Sequence, residues 1–330
     1  MGHKKQLTMI YIKKKKLLEL GINWNDLIKT IGTATDILSK KEISQPIKPY
    51  LRFNNLTNRI IAMPAYVGGE INAAGIKWIA SFPENISKSI KRAHAVLILN
   101  DTSTGAPIGI INTALISGIR TASVSGYVIK QYLQANNSEF LDCGIIGFGP
   151  IGQLHLQMLC QSFSSKIRNI YIYDKNPINK QEIATLGLNK NVIVCSDWQE
   201  VYDQSNLFIT CTVSSARYVN RMPKKGGIYL NVSLRDFESE FLKSVDRILV
   251  DNWEEICREN TDIENAHLQY GLNKKDVLEI TDITDSKKLS NLSQKAFMFN
   301  PMGMAIYDIA IAKNYYDLAK RTKNYIDLED

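Results

Sequence analysis

The sequence predicts an α/β protein with two domains, one of them built on a doubly wound parallel sheet of the Rossmann type. A Gly-x-Gly-x-x-Gly segment, Gly147–Gly152, lies between an apolar strand and a helix, and Asp174 closes the next apolar strand about 20 residues later. From Leu141 onward, apolar segments alternate with helical ones, as in parallel α/β sheets. Because the motif lies in the middle of the 330 residues, another domain precedes it.

Residues 1–125 predict a separate α+β domain. A helix is expected from about Asn25 to Leu38, where apolar residues recur at helical spacing. Turn residues at Asn100–Pro107 predict that the strands on either side form a hairpin. The predicted strands of this domain are Met9–Ile12, Arg59–Met63, Gly75–Ile79, Ala95–Asn100 and Ile108–Ile111.

The second part of the chain predicts the strands and helices of the parallel sheet. Helices are expected at Pro150–Phe163 and Lys180–Leu186. The predicted strands are Gly144–Gly147, Asn169–Asp174, Val192–Cys195, Leu207–Val213, Gly227–Val232 and Arg247–Val250. The tail Met302–Leu328 carries an apolar helical face, which we expect to pack on the first domain. The expected domains are therefore 1–125 with 300–330, and 126–299, which contains the glycine motif.

The three glycines of the central motif have distinct physical roles in binding a dinucleotide. Gly147 permits the tight turn, and Gly149 lets backbone amides approach the pyrophosphate, with which a Cβ would collide. Gly152 lets the helix pack closely on the strand. The alternative, an ordinary strand-turn-helix, does not explain the acidic residue that follows.

Further residues complete the expected cofactor site. The helix that starts at Pro150 and Ile151 directs its positive end at the phosphates. Asp174 accepts hydrogen bonds from the ribose hydroxyls and repels a 2′-phosphate, so NAD is the expected cofactor. Thr212 and Ser233 stand at the carboxyl ends of predicted strands, where ligands of such sheets bind.

Composition argues against several functional classes. The net charge of +7 includes the run Lys13–Lys16, which is typical of a solvated face, and no regular basic and aromatic pattern suggests nucleic-acid binding. The cysteines form no Cys-x-x-Cys and no Cys/His cluster, so no metal site is expected. Free thiols fit a reducing compartment. With no apolar run of about 18 residues and no signal peptide, we expect a cytoplasmic protein that binds no membrane.

Charged side chains interrupt apolar segments of the first domain. Lys77 lies in a short apolar strand, where burial is costly unless the ammonium is paired. Arg120 stands just before an expected helix of small residues. An arginine and a lysine that converge on one cleft would bind carboxylates. The alternative is that they are edge-strand charges, or long side chains that reach water.

Asp236 is the candidate general acid or base. It follows the predicted strand Gly227–Val232, at the carboxyl edge of the sheet where ligands bind. The alternative is that Asp236 caps a helix at Phe237–Leu242.

Several segments together resemble the ornithine cyclodeaminase/μ-crystallin family, and the resemblance covers roughly Met9 to Leu318. They are Gly75-Ile-Lys-Trp-Ile79, Arg120-Thr-Ala-Ser-Val-Ser125, the central glycine motif and Phe299-Asn-Pro-Met-Gly303. Within the family, the chain looks most like the dehydrogenases that form 2,3-diaminopropionate from N-(2-amino-2-carboxyethyl)-L-glutamate for siderophores and peptide antibiotics. The segments that match this group are Gln45–Arg52, Arg59–Pro64, Ile98–Asp101 and Asn300–Ile306.

The resemblance implies a substrate site, a catalytic group and a homodimer formed through the first domain. Asp236 would be the acid or base, and Asn300 would border the nicotinamide. Lys77 and Arg120 would also orient the substrate α-carbon, and so count as catalytic. The residues that would hold the substrate carboxylates or line the pocket are Arg52, Met63, Lys77, Arg120 and Met302.

One position separates this chain from the ornithine cyclodeaminases, which carry a glutamate two residues before the methionine that Met63 matches. That glutamate is expected to grip the ornithine side-chain amine, whereas Ile61 cannot pair with an ammonium. The Asp-Cys-Pro-Gly-Lys segment of the family is also replaced, here by Arg235–Glu240.

The expected function is NAD-dependent oxidative cleavage of N-(2-amino-2-carboxyethyl)-L-glutamate to 2,3-diaminopropionate and 2-oxoglutarate, by an enzyme that acts on a CH–NH group. Alternatives are an amino-acid cyclodeaminase, an imine reductase that works in the opposite direction, and a non-enzymatic ligand-binding protein of μ-crystallin type.

Overall fold

The computed structural model describes residues 9–136, 141–186 and 190–328, and the chain divides into two compact units. Unit 1 is Met1–Arg120 with Met304–Asp330, and unit 2 is Thr121–Gly303. These boundaries differ by a few residues from the expected 125/126 and 299/300. The first falls inside a continuous helix, where no linker composition marks it, and the second follows a strand that the sequence analysis missed.

The described residues form sixteen strands and ten α-helices, numbered here in chain order. The strands are β1 (Met9–Lys13), β2 (Ile43–Ser44), β3 (Tyr50–Arg52), β4 (Arg59–Val67), β5 (Ala73–Ser81), β6 (Ala93–Asn100), β7 (Pro107–Asn112), β8 (Leu141–Ile146), β9 (Ile167–Tyr173), β10 (Val192–Val194), β11 (Leu207–Thr210), β12 (Ile228–Asn231), β13 (Arg247–Val250), β14 (Leu278–Glu279), β15 (Phe297–Asn300) and β16 (Ile326–Leu328). The helices are α1 (Lys14–Leu20), α2 (Trp24–Ser39), α3 (Leu115–Asn136), α4 (Pro150–Ser162), α5 (Lys180–Thr185), α6 (Trp198–Gln204), α7 (Ser239–Lys243), α8 (Trp253–Ile256), α9 (Asp262–Tyr270) and α10 (Ala305–Thr322).

Unit 1 is built on one sheet with the strand order β16-β1-β7-β6-β5-β4-β2, and β3 also pairs with β4. The β1–β7 pair is parallel and the other pairs are antiparallel. Along β6, Ala95, Leu97 and Leu99 are buried and alternate with less buried residues, as expected for a sheet with one face on the core. Helix α10 packs on α2, β4 and β5. The expected hairpin is present as β6 and β7.

Two expectations about helices in this part of the chain are wrong. Helix α3 begins at Leu115, so Arg120 lies inside its second turn and not before its start. The tail helix does not extend to Leu328. It ends because Lys323 adopts a left-handed backbone conformation with φ 54°, after which β16 pairs antiparallel with β1.

Unit 2 contains an entirely parallel sheet with the order β10-β9-β8-β11-β12-β15-β13-β14. The strand order reverses at β8, as in doubly wound sheets, which confirms the Rossmann-type domain. The sequence analysis predicted no strand at Phe297–Asn300 and assigned Asn300 to the first domain. The structure places β15 between β12 and β13, because Phe297–Asn300 pairs with strands far away along the chain.

The lysine run near the start of the described part of the chain is mostly exposed, whereas three cysteines are buried. Lys13, Lys14 and Lys15 are exposed, as expected for a solvated run. Cys143, Cys160 and Cys195 are buried free thiols. Within the same ranges, no helix could cross a membrane, and no group of three acidic, histidine or cysteine side chains could hold a metal ion.

Candidate functional site

The turn between β8 and α4 has the shape that a dinucleotide requires. Gly147 has φ 90°, and a Cβ there would lie 2.7 Å from the backbone carbon of Cys211. A Cβ on Gly152 would lie 2.0 Å from the carbonyl oxygen of Gly147. By contrast, a Cβ on Gly149 would meet no described atom within 4 Å. The first and third glycines therefore serve the fold, while the middle glycine borders open space at the start of α4, where Pro150 and Ile151 form the first turn.

Asp174 follows β9 directly and ties the glycine turn to the end of that strand. Its Oδ2 accepts a hydrogen bond of 2.7 Å from the Phe148 amide, and its Oδ1 accepts one of 2.8 Å from the Asn176 amide. Each carboxylate oxygen has a second lone pair that remains able to accept from a hydroxyl group. The geometry thus leaves Asp174 able to bind a ribose while it also shapes the turn.

Asp236 is fully buried and surrounded by hydroxyl groups. Its carboxylate accepts hydrogen bonds from Thr212 Oγ1 at 2.7 Å, from Tyr218 Oη at 3.4 Å and from Ser233 Oγ. Burial raises the pKa of this carboxyl group, although the hydroxyl groups oppose the shift. The helix-cap alternative is wrong, because Glu238 and not Asp236 precedes α7.

Three neighbouring strands of the parallel sheet each end in a buried polar residue: Thr210 on β11, Asn231 on β12 and Asn300 on β15. The Asn231 Nδ2 donates to Asn300 Oδ1 at 2.8 Å and to Asp262 Oδ2 at 2.9 Å. The Asn300 Nδ2 is buried without a hydrogen-bond partner among the described residues. Such an orphaned donor is costly to bury, which marks Asn300 as a candidate ligand contact. Next to it, the Met302 amide donates to Asp251 Oδ1 at 3.0 Å.

Unit 1 contains a buried group of opposite charges that we call the ionic triad: Lys77 on β5, Arg120 on α3 and Asp308 on α10. The Lys77 Nζ lies 2.8 Å from Asp308 Oδ2, and the Arg120 Nε donates to Asp308 Oδ1 at 3.0 Å. Lys77 Nζ also donates to Ser117 Oγ at 3.3 Å. The surface alternative for Lys77 and Arg120 is therefore wrong, since their exposed fractions are 1% and 7%.

The ionic triad carries more positive than negative charge. The pKa of Lys77 is lowered to about 7, mainly by burial. Asp308 opposes the shift, whereas Arg120 and Lys48 contribute to it. Lys48 is itself buried. With Lys77 protonated, the ionic triad holds two cations and one carboxylate, so a carboxylate ligand would compensate the excess.

The two other expected substrate residues of unit 1, Met63 and Arg52, lie at different places on its sheet. Met63 is buried and lies directly opposite Lys77 in the β4–β5 register, and Ile61 points to the same face because it is two residues away. Arg52 is exposed on the short strand β3, opposite Arg59, with its guanidinium 4.8 Å from the centre of the Tyr50 ring. Lys77 lies opposite Met63, and Met63 and Arg59 are four residues apart on β4. Arg52 therefore lies about 13 Å from Lys77 along the strand direction.

Sequence reasoning missed Asp308, Asn231 and Asp262. Asp308 is a single carboxylate in the otherwise apolar start of α10, and Asn231 is a polar residue in the apolar strand β12. The argument applied to Lys77, that a charge in an apolar run needs a partner, would have identified Asp308. Asp262 carries no such signal, because it follows a typical helix cap, Thr261.

Comparisons with known proteins agree with this architecture. The model of the ornithine cyclodeaminase/mu-crystallin family matches residues 11–323. The N-((2S)-2-amino-2-carboxyethyl)-L-glutamate dehydrogenase of Staphylococcus aureus is 31% identical, over 95% of this chain and 96% of that protein. Two solved structures share the fold. The Thermococcus litoralis Delta(1)-pyrroline-2-carboxylate reductase in complex with NADH and L-proline has a TM-score of 0.86, with 23% identity over 97% of this chain and 100% of that one. An archaeal alanine dehydrogenase dimer with bound NAD has a TM-score of 0.81, with 21% identity over 98% and 99%.

Proposed function

Because the chain belongs to the ornithine cyclodeaminase/mu-crystallin family, we propose that it oxidises N-(2-amino-2-carboxyethyl)-L-glutamate and cleaves it to 2,3-diaminopropionate and 2-oxoglutarate. The observation that carries the proposal is the 31% identity, over nearly the whole chain, with a dehydrogenase of that substrate. The enzyme would supply diaminopropionate for siderophores or peptide antibiotics. We propose that it does so in the cytoplasm, because its free thiols fit a reducing compartment.

The residues of unit 2 fit NAD as the cofactor. Gly149 and the start of α4 would hold the pyrophosphate, and Asp174 the ribose. Asn300 has a buried donor available for the nicotinamide half. When bound, NAD accepts a hydride from the α-carbon of the glutamate moiety.

The ionic triad supports binding of an anionic substrate. The proposed substrate has three carboxylates, of which Lys77 and Arg120 would hold the one next to the reacting carbon, since charge-assisted hydrogen bonds orient as well as attract. Arg52 would hold a more distant carboxylate. Met63, opposite Lys77, would limit the space beside the reacting carbon.

Asp236 would manage the protons of the second half of the reaction. Loss of hydride from the α-carbon and of the proton from nitrogen leaves a C=N bond. Water adds to its carbon, and the C–N bond then breaks to release the diaminopropionate amine and the keto acid. A carboxyl group whose pKa is raised by burial can take a proton from water and return it to the leaving nitrogen.

The position of Ile61 favours this reaction over ornithine cyclodeamination. Ile61 shares a face of β4 with Met63, so a glutamate there would project to the same side as Lys77. An isoleucine offers no partner for the ornithine ammonium. The test below also distinguishes the proposed reaction from cyclodeaminase, imine reductase and μ-crystallin-like functions.

The test is incubation of purified protein with NAD and each candidate substrate in turn. The proposal predicts NADH, 2-oxoglutarate and diaminopropionate in equal amounts from the glutamate derivative, measured by absorbance and mass spectrometry. Turnover of ornithine without net NADH would show a cyclodeaminase, and reduction of a cyclic imine alone would show a reductase. Folded protein that turns over none of these compounds would contradict catalysis.

The lowered pKa of Lys77 predicts a pH dependence. Lys77 must be protonated to hold a carboxylate, so kcat/KM should fall about tenfold per pH unit above about 7. Asp308, Arg120 and Lys48 are the charged groups that act on Lys77, and Lys77→Arg, which stays protonated, should flatten this limb. The measurement is kcat/KM between pH 6 and 9, and an equal decline in the Lys77→Arg variant would contradict the assignment.

We also propose a homodimer formed through the sheet face of unit 1 that points away from Lys77. Trp78 is 38% exposed and lies between Ala62 and Val96, and Pro64, Ile76 and Ile98 continue this apolar face. Exposed apolar faces of this kind mark interfaces between proteins.

The dimer proposal predicts that Trp78→Glu weakens self-association at least about tenfold, because the interface would bury an unpaired carboxylate. Sedimentation velocity over a range of concentrations measures the effect. The matched control is Leu268→Glu, which changes an exposed apolar residue of unit 2 and should leave the dimer intact. A monomeric wild type, or a Trp78→Glu variant that dimerises normally, would contradict the proposal.

A further inference from the structure

The buried carboxylate of Asp262, at the start of α9, ties the loop that carries Asp236 to the row of amides at the sheet edge. Its Oδ1 accepts from Arg217 Nε at 2.6 Å. Its Oδ2 accepts from the backbone amides of Asp236 and Phe237, both at 3.1 Å, and from Asn231 Nδ2 at 2.9 Å. These bonds use both oxygens of a carboxylate that is 1% exposed.

The charge of Asp262 determines the orientation of two side-chain amides. A carboxylate only accepts hydrogen bonds, so Asn231 must present its NH2 group to it. The Asn231 Oδ1 accordingly accepts from the Leu234 amide at 2.9 Å. Because the same NH2 group also donates to Asn300, Asn300 must present its oxygen to Asn231. The Asn300 NH2 group is thereby directed away from this network.

This NH2 group of Asn300 has no hydrogen-bond partner among the described residues. It lies at the end of β15, on the carboxyl edge of the sheet where the glycine turn also lies. A flipped Asn300 amide would present an acceptor there. Asp262 therefore determines whether the buried amide of Asn300 offers a donor or an acceptor to a ligand.

We propose that Asp262 is a positioning residue, which acts through Asn231 to hold the Asn300 amide as a donor for the carboxamide oxygen of the nicotinamide half of NAD. This inference rests on the proposed use of NAD. It assigns Asp262 and Asn231 no contact with the cofactor, because their effect passes through Asn300.

Asp262 also stabilises the loop of Asp236 through its backbone amide. Leu234 has a left-handed backbone with φ 68°, which is uncommon for a leucine, and its carbonyl accepts from the Asp262 amide at 2.8 Å. Asp262 thus bonds to both sides of the turn between β12 and Asp236. We expect its substitution to reduce kcat as well as cofactor affinity.

The test compares the affinities of NAD and of ADP-ribose, which lacks the nicotinamide, by calorimetry without substrate. In Asp262→Leu the side chain keeps a similar volume but accepts no hydrogen bond, so Asn231 is no longer held and the Asn300 orientation is lost. We expect NAD to bind about five- to tenfold more weakly, the effect of one hydrogen bond, and ADP-ribose to bind as in the wild type. Asn300→Leu should produce the same selective loss.

Two further variants keep the test decisive. Asn231→Ala breaks the connection but leaves the Arg217 and backbone bonds of Asp262, and it carries the test if Asp262→Leu does not fold in thermal unfolding. The control is Asp246→Leu, because Asp246 Oδ2 also accepts a backbone amide, that of Ala296 at 2.7 Å, but at the opposite edge of the sheet. It should change neither affinity.

Equal weakening of both ligands, or no change in NAD affinity in Asp262→Leu and Asn231→Ala, would overturn the inference. A loss of NAD affinity in Asn300→Leu alone would overturn the role of Asp262. Wild-type protein that binds no NAD would overturn both this inference and the cofactor assignment. Absence of turnover with the glutamate derivative would affect only the proposed reaction, since these affinities need no substrate.

Discussion

Lys77→Met is expected to lower kcat/KM for N-(2-amino-2-carboxyethyl)-L-glutamate about a hundredfold or more, because the substrate carboxylate loses a buried charge-assisted partner worth roughly 3 kcal/mol. The variant retains the ion pair of Arg120 with Asp308, so unit 1 should still fold. Methionine approximates the length of the lysine chain without its charge. The measurement is steady-state kinetics with NAD, together with the NAD dissociation constant, which should not change.

The matched control for this variant is Lys15→Met, which removes the charge of an exposed lysine in the same unit. It should leave kcat/KM unchanged, because exposed charges interact weakly. If Lys77→Met retained wild-type turnover, the carboxylate anchor would lie elsewhere. The ionic triad would then have only a structural role.

Asp236→Asn is expected to reduce kcat by about 10²–10⁴, the usual contribution of a general acid or base. The amide keeps the shape of the side chain and can still accept from Thr212 and Ser233, but it cannot take up and return a proton. NAD affinity and the unfolding temperature should remain close to those of the wild type, because the neighbouring hydroxyl groups can rotate to suit an amide.

The control for the aspartate is Asp203→Asn, which changes an exposed carboxylate of unit 2. Measured kcat values for the three proteins decide the question. If Asp236→Asn stayed within about threefold of wild type, far below the range for a general base, the proton would be handled by another group.

Local patterns in the sequence predicted the strand, turn and helix around Gly147–Gly152, since a tight turn and the acid that follows it depend on neighbouring residues. They also predicted that Lys77 and Arg120 would need partners. They did not identify Asp308 as that partner, because its contact with Arg120 joins residues 188 positions apart. A contact of that separation is set by how α10 packs on the sheet, which no local pattern encodes.

The sequence analysis missed β15 and β16 for the same physical reason, because their pairing partners are distant in the sequence. Phe297–Asn300 is a short apolar run whose identity as β15 depends on β12 and β13. Ile326–Leu328 continues the helical pattern of the tail but pairs with β1. Arg52 was expected to hold a substrate carboxylate, and its distance from Lys77 along the sheet depends on the β3–β4 register. Its role as a ligand for a distant carboxylate remains a prediction.

The most direct test of the proposed reaction uses substrate with deuterium at the glutamate α-carbon. Oxidative cleavage predicts one deuterium in the NADH formed for each 2-oxoglutarate released, by mass spectrometry of both products. Deuterium that stays in an organic product without net NADH, as a cyclodeaminase would leave it, would contradict the proposed reaction. So would the absence of 2-oxoglutarate from protein that is folded and binds NAD.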